Sequence, residues 1–408
     1  MTADWSGGTS IAEPQSIDTP IEASTAAISA PAPRVWLILS EKSGDNLQIL
    51  AIADALPWPC DTKHIVVRER YVLGKPTVTA SLHHIDRERS DALEPPWPDL
   101  VIAVGRRMSM VALWIKERSG GRTRIALIGP PKGQVGRFDL AVVSDQYRYP
   151  DQPNMLRIVY PLQRIDRGAI ATEAEAWRGE VATLRRPLIA AMIGGLTKEV
   201  RFDAATSTRM ARDLAAFGQA QSGTLFVTTS RRTPSHAVAA LRSELPSGSI
   251  VHEWQPGGGR NPYRALLGLA DLFVVTSDSL SMQMEIARLG RKLAIYPLPP
   301  ASFLSAGPLS ALADGVFGSH FLPGDFARRC EHRLGRALDR LGAFRHHRDL
   351  GAIPRRLVAD GHAVWFGQAL PAAPVPPPDE LPGVIARLVA LAGDQFASHQ
   401  ERGTASGL

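Results

Sequence analysis

The stretch Ala270-Asp-Leu-Phe-Val-Val-Thr-Ser-Asp-Ser-Leu-Ser-Met-Gln-Met-Glu285 decides how this chain is read. Leu272–Thr276 is a short, near-continuous apolar run of β-branched and aromatic residues. That pattern suits a strand buried on both faces of a parallel sheet. Thr276-Ser-Asp-Ser279 then breaks it with turn formers, and a helix is expected over Ser281–Leu289. Ser279 or Ser281 is a natural N-cap. The free N–H groups and dipole at the start of such a helix favour an anion, and Glu285, one turn in, can take the two hydroxyls of a ribose. A capped helix with no ligand is the plainer alternative. Ser279 as a hydrolase nucleophile is a further one, although no G-x-S-x-G elbow frames it.

Outward from this unit the same alternation recurs. Strands are expected at Leu188–Ile193, Leu225–Thr228, Ile250–His252 and Leu293–Tyr296, with helices at Ser207–Phe217, Ser235–Glu244 and Tyr263–Leu269 between them. An earlier series places strands at Val35–Leu39, His64–Val67, Leu100–Val104, Ile125–Ile128, Leu140–Val143 and Arg157–Tyr160, with helices at Leu47–Leu56 and Ser109–Arg118. Strands alternating with helices imply parallel sheets covered on both faces. The polar stretch Asp166–Arg186, carrying a helix at Glu173–Leu184, separates the two series. The predicted plan is therefore a disordered tail over 1–33, an α/β domain over 34–165, a linker helix within 166–186, a second α/β domain over 187–345 and a C-terminal extension over 346–408. The extension contains the Pro-rich connector Pro371–Pro378 and a closing helix at Leu381–Leu391. The irregular stretch Phe303–His347 holds two Arg-rich amphipathic segments.

Composition agrees with this plan. The chain has 408 residues, 44% hydrophobic and 21% charged, which suits two globular domains. No apolar run is long enough to span a bilayer, and Met1–Pro33 lacks the basic start and apolar core of a secretory signal. Cys60 and Cys330 fit neither a zinc spacing nor a disulfide framework, and they point to a reducing cytoplasm. The net charge of +6 is compatible with a mildly basic surface or with attraction to anionic lipids or phosphorylated substrates. No basic stretch is interleaved with aromatics, so a nucleic-acid partner is not expected.

Four further loops follow strands. Leu39-Ser-Glu-Lys-Ser-Gly-Asp-Asn-Leu-Gln48 offers Gly44 for a tight turn, Lys42 for a phosphate or carboxylate, and Asp45 as a cap or base. Val104-Gly-Arg-Arg107 places Arg106 and Arg107 after Gly105 at a strand end, suited to clamping an anion or to a solvated surface. Ile193-Gly-Gly-Leu-Thr-Lys-Glu-Val-Arg-Phe202 lets a ligand approach Gly194 and Gly195, with Lys198 and Arg201 near. Val227-Thr-Thr-Ser-Arg-Arg-Thr-Pro234 supplies Thr229, Ser230 and Arg231 for a diphosphate or sugar hydroxyls. There is no P-loop, H-E-x-x-H, zinc pattern, kinase set or D-x-D metal motif.

Taken in order, Gly105-Arg-Arg107, Ile193-Gly-Gly-Leu-Thr-Lys198 with Arg201-Phe202, Thr228-Thr-Ser-Arg-Arg-Thr-Pro234 and Asn261-Pro-Tyr-Arg through Tyr296 resemble the mitochondrial-fission Elm family of plants and alphaproteobacteria. The resemblance runs from about Arg34 to Phe366. The first loop departs from the family's usual D-G-K-P-G-H form, keeping Lys42, Gly44 and Gln48. Ser144-Asp-Gln-Tyr147 and Tyr160-Pro-Leu-Gln-Arg164 depart as well. The resemblance implies a GT-B-like fold, two Rossmann-like domains with parallel sheets facing a central cleft. It also implies a cytoplasmic glycosyltransferase, peripheral on the inner membrane, that needs no metal or other cofactor. The nucleotide-sugar donor would then lie on Gly194, Gly195, Lys198, Thr229, Ser230, Arg231, Ser277, Asp278, Ser279, Ser281, Met282 and Glu285 of the C-terminal domain. Arg231 and Lys198 would steady the departing diphosphate. Gly44, Gln48, Gly105, Arg106 and Arg107 would face a lipid-linked or cell-envelope acceptor, with Asp45 and Lys42 catalytic. The same resemblance admits a non-catalytic adaptor, and the shared fold admits a nucleotide-sugar epimerase.

Overall fold

The computed structural model describes residues 32–72, 77–131, 134–147, 149–197, 199–257, 259–301 and 349–405. The tail before residue 32 and the stretch Phe303–His347 lie outside the described residues. In chain order the first half contains β1 (Val35–Leu39), α1 (Ser43–Ala55), β2 (Cys60–His64), β3 (Val66–Val67), α2 (Glu69–Val72), β4 (Ile85–Asp86), β5 (Leu100–Val104), α3 (Gly105–Arg118), β6 (Arg124–Ile128), β7 (Leu140–Ser144) and β8 (Met155–Ile158). The second contains α4 (Arg167–Val181), β9 (Leu188–Met192), α5 (Ala204–Ala220), β10 (Thr224–Thr228), α6 (Ser235–Glu244), β11 (Ile250–His252), α7 (Tyr263–Leu269), β12 (Leu272–Thr276), α8 (Leu280–Arg288), β13 (Lys292–Tyr296), α9 (Ala352–Ala359), β14 (Val364–Trp365) and α10 (Leu381–Ala405).

Two six-stranded parallel sheets result, ordered β2-β1-β5-β6-β7-β8 and β11-β10-β9-β12-β13-β14. The chain is thus α/β with two Rossmann-like domains, the GT-B-like arrangement. Alternation along each strand divides the cores. Val35, Leu37 and Leu39 pack with Ile49 and Ile52 of α1, while Trp36 and Ile38 pack with Met108 and Val111 of α3. Leu188, Ala190 and Met192 meet α4, α7 and α8, while Ile189 and Ala191 meet α5 and α6. Strand order reverses between β1 and β5 and between β9 and β12, and ligands of such sheets lie in the crevice beyond those strand ends.

Three expectations need correction. Residues 64–67 are not one strand. His64 ends β2, paired with β1, whereas Val66–Val67 pairs antiparallel with β4 in a separate small sheet. The linker helix begins at Arg167, because Asp166 caps it by accepting the Ala169 N–H at 2.8 Å. The segment 346–408 is more than an extension, since β14 completes the second sheet beside β13 and α10 returns to the first domain. Val384 and Leu388 of α10 are buried in the core that holds Val35 and Leu37.

Glu380 fixes that return. Its two carboxylate oxygens accept the Val159 and Tyr160 N–H groups at 2.8 and 2.9 Å. Glu380→Ala is expected to lower stability by about 2 kcal/mol, because two part-buried amides lose a charged acceptor. Glu380→Gln should recover about half. Urea midpoints check this, and an alanine variant as stable as wild type would show that the contact contributes nothing.

Candidate functional site

A cavity of about 390 Å³ lies where the carboxyl ends of the two sheets face each other, a size ordinary for a small-molecule site. From the first domain it is lined by Gly44, Asp45 and Gln48 of α1, by Gln146 after β7, and by Pro161–Gln163 after β8. From the second it is lined by Thr197 and Glu199 after β9, Arg232 after β10, and Asp278–Ser281 with Met284 at the start of α8, closed by Leu350. The walls approach closely, since a Cβ on Gly44 would stand 3.6 Å from the Ser281 hydroxyl.

The start of α8 sets the character of this cavity. Ser279 is the N-cap residue by position, yet its side chain makes no capping hydrogen bond. Asp166 and Asp203, by contrast, cap α4 and α5 through their carboxylates. The first-turn amides of α8 therefore have no side-chain cap at the wall of the cavity. Behind them Asp278 is buried. It accepts the Gly195 N–H at 2.8 Å and the Thr276 hydroxyl at 2.7 Å, and Arg232 stands 3.6 Å away. Burial pushes the Asp278 carboxyl up, against the pull of those donors.

Several residues predicted to touch a ligand instead hold the loops together. Gly194 and Gly195 are close-approach glycines, but what approaches them is protein. A Cβ on Gly194 would lie 2.3 Å from Asp278, and one on Gly195 would lie 2.1 Å from the Arg232 backbone. The Gly194 N–H donates to Thr276 Oγ1 at 2.8 Å, and its carbonyl accepts from the Ser230 and Thr233 hydroxyls. Thr229 Oγ1 accepts the Trp254 N–H at 2.8 Å, and Ser277 Oγ accepts the Leu298 N–H at 3.0 Å. Met282 packs against the core. Glu285 lies outside the cavity lining and accepts a hydrogen bond from the Tyr263 hydroxyl at 2.5 Å. Burial raises both groups, the tyrosine further through the neighbouring carboxylate.

On the first-domain side, Gly44 belongs to the first turn of α1 and does not form a turn before it. Asn46 braces the preceding loop through Ser40, accepting its N–H at 3.0 Å and donating to its carbonyl at 2.6 Å. Lys42 is exposed at the head of α1 and is not part of the lining. Gly105 takes φ +76° as α3 begins, and a Cβ there would stand 3.7 Å from Asp45. Arg107 turns away to donate to the Tyr71 carbonyl at 2.7 Å. Burial pulls both Arg106 and Arg107 below the ordinary guanidinium value. Neither lines the cavity. Lys198 lies outside the described residues. Arg231 is exposed and its neighbour Arg232 lines the cavity instead, so position 232 takes the place expected for 231.

Gln146, Gln163, Thr197 and Glu199 complete a lining that loop reading did not assemble. Thr197 and Glu199 stand inside the quoted Gly-Gly loop, and Gln163 stands inside the Tyr160–Arg164 departure, so a signal was present at those positions. Among the described residues no group of three His, Cys, Asp or Glu side chains is placed to hold a metal. None of their helices is long and apolar enough to cross a membrane.

The model of the family described as mitochondrial fission ELM1 matches residues 43–312, both walls of the cavity included. The chain belongs to this family. Mitochondrial fission protein ELM1 of Arabidopsis thaliana is 27% identical over 224 residues, covering 50% of this chain and 52% of that protein. The chain thus spans about half the length of this relative. An uncharacterized protein of Rickettsia prowazekii is 22% identical over 304 residues, 65% of this chain and 83% of its own. Among solved structures, a UDP-GlcNAc 2-epimerase from Neisseria meningitidis bound to UDP-GlcNAc has a TM-score of 0.41 at 10% identity. The likeness covers 80% of this chain and 99% of that one. Within the ELM1 match lie the Gly-Gly loop, Arg232 and the α8 start, whereas Leu350, α9 and α10 fall beyond it.

Proposed function

We propose that this ELM1-family member is a metal-independent glycosyltransferase that binds a nucleotide sugar in the cleft, with the diphosphate against the start of α8. One observation carries the reading: Ser279 makes no side-chain cap on α8, and the residues at the start of that helix line a cavity shared with Arg232. Ser279 and Ser281 add hydroxyl donors there. The N–H groups and the helix dipole hold the diphosphate. Arg232 offsets the charge that grows on it as the glycosidic bond breaks, a task that a metal ion performs in other enzymes. Asp45, on the facing wall, takes the proton of the attacking hydroxyl. Glu285 lies one turn behind Ser281, outside the cavity lining, where the Tyr263 hydroxyl holds it, so in this reading it steadies α8 and does not touch the donor.

A panel of nucleoside diphosphates followed by thermal shift tests the proposal. At least one is expected to raise the melting temperature, and Arg232→Ala is expected to weaken its binding about tenfold, equivalent to about 1.4 kcal/mol. Silence toward every nucleotide would remove the donor site and leave an adaptor protein on this fold. A nucleotide response equal in wild type and Arg232→Ala would move the diphosphate away from α8.

A further inference from the structure

The Gly194-Gly195 loop holds an anion of the protein's own. Glycine-containing loops at strand ends present backbone N–H groups that can cradle a phosphate. Here the Gly195 N–H donates at 2.8 Å to Asp278 Oδ2, and the Thr276 hydroxyl donates at 2.7 Å to Asp278 Oδ1. The Gly194 N–H is taken by Thr276 Oγ1 at 2.8 Å. The Asp278 side chain is 0% exposed while the whole residue keeps 4% of its surface, so what it shows to the cavity is main chain. A ligand in the cleft therefore does not touch this carboxylate, and any effect of Asp278 on a ligand passes through a neighbour.

That neighbour is Arg232, the one cation among the described residues that line the cavity. Its guanidinium stands 3.6 Å from Asp278 Oδ2, beyond hydrogen-bond length, and its side chain is 44% exposed. Charge draws it toward the carboxylate, but no hydrogen bond locks it there. A second anion at the start of α8 draws on the same guanidinium. Asp278 is hydrogen-bonded by neutral donors, and Arg232 is the charged group that acts on it. A carboxylate out of water needs a countercharge to stay ionised, and burial already pushes this one up. Two anions thus depend on one cation. An entering anion weakens the hold on the Asp278 charge, and a proton on Asp278 releases Arg232 to the anion. Linkage makes the two effects equal in size.

We infer that Asp278 is a positioning residue that sets the anion affinity of the cleft through Arg232, so that a diphosphate enters together with a proton. This coupling rests on the diphosphate reading of the α8 start and adds its regulation. The complex holds a proton on the Asp278 carboxyl that the free protein lacks, so affinity rises as pH falls. Asp45 and Glu199 also line the cavity, and their protonation acts in the same direction by removing like charge. Arg232 keeps its charge throughout. Only a change at Asp278 itself separates these contributions. In Asp278→Asn the amide oxygen still accepts the Gly195 N–H, and Nδ2 donates to Thr276 Oγ1, whose own proton turns away. The loop contact survives and the charge is gone.

Isothermal calorimetry of the full chain with UDP-glucose, ADP-glucose and GDP-glucose tests the coupling. These diesters are chosen because a terminal phosphate itself titrates at about pH 6. At about pH 7.5, Asp278→Asn is expected to bind the responding nucleotide sugar about fivefold tighter than wild type, the low end of coupling between two sites. A merely structural role predicts the reverse, a loss of affinity. On acidification to about pH 5.5 the wild type should tighten toward the variant, whose own profile is flatter. In an Arg232→Ala background the gain should vanish, because without its cation the buried carboxyl keeps its proton. If Asp278→Asn does not fold, titrations of the Asp45→Asn, Glu199→Gln double variant in buffers of different ionisation enthalpy still decide. Proton uptake on binding is expected there, and no uptake, or release, would overturn the coupling. Binding that Asp278→Asn leaves unchanged or weakens would overturn it too, with the donor site left standing. Silence toward all three nucleotide sugars, in wild type and variants alike, would remove the donor site and the coupling together.

Discussion

Gly195→Ala is expected to lower stability by about 3 kcal/mol and to abolish any response to a cleft ligand. The added Cβ would lie 2.1 Å from the Arg232 carbonyl carbon and 2.2 Å from its oxygen, and both are backbone atoms that cannot rotate aside. The loop cannot retreat freely either. Leu196 donates its N–H to the same Arg232 carbonyl at 3.0 Å, and the Gly195 N–H is held by Asp278. Overpacking where backbone must move falls at the upper end of the usual range for single substitutions. Gly136→Ala is the control, because a Cβ there meets nothing within 4 Å. It should change stability by less than about 0.5 kcal/mol. Urea denaturation of the two variants decides the point. Equal midpoints would mean that the two loops do not approach as described.

The second large effect is on pH. His84 is completely buried, and its Nε2–H donates to the Arg107 carbonyl at 3.0 Å. Burial, with smaller contributions from His83 and Arg107, pushes its pKa down to about 4 from an ordinary 6.5. The folded chain therefore keeps His84 neutral while the unfolded chain protonates it between those values. In that window the unfolded state holds the extra proton, so stability rises with pH and falls on acidification. The loss begins near pH 6.5, reaches about 3 kcal/mol near pH 4, and levels off below. His252, also lowered by burial, adds in the same direction. Asp145, Asp278 and Glu285 are raised by burial, take up protons in the folded state, and oppose the trend. A comparison of wild type with His84→Gln isolates the histidine. The variant is expected to lose distinctly less stability between pH 7 and pH 4.5. Parallel urea midpoints for the two proteins across that range would exclude the assignment.

Much of the fold was legible because it is written in local period. Val35–Leu39, Leu100–Val104, Ile250–His252 and Leu272–Thr276 were delimited as found, as were the helices Ser235–Glu244 and Tyr263–Leu269. Uninterrupted apolar runs announce strands buried on both faces, and the helices between them force the parallel order. Short edge elements were less legible. β3, β4 and β14 have two residues each, too few for any periodicity, and their place depends on the strand beside them. The site was legible as a set of loops, since every loop singled out follows a strand. Its chemistry was less so. The hydroxyls and glycines quoted for a ligand are the same residue types that tie loop to loop. Composition cannot distinguish a serine that faces a cavity, such as Ser281, from one that holds a backbone amide, such as Ser277.

By itself, then, the sequence determined the two-sheet α/β architecture, the strand–turn–helix unit at Leu272–Arg288 and the loops that could reach a ligand. Each depends on neighbours within a few residues, where period and capping act. Only the tertiary structure decided which groups remain available to a ligand. Asp278 meets Gly195 across 83 residues of chain, Glu285 meets Tyr263 across 22, and Glu380 meets Val159 across 221. A polar side chain satisfies the nearest donor or acceptor in space, and only folding establishes which that is. Folding put Arg232 rather than Arg231 in the cavity lining, brought Gln163 and Thr197 into that same lining from two domains, and left the start of α8 without a side-chain cap from Ser279.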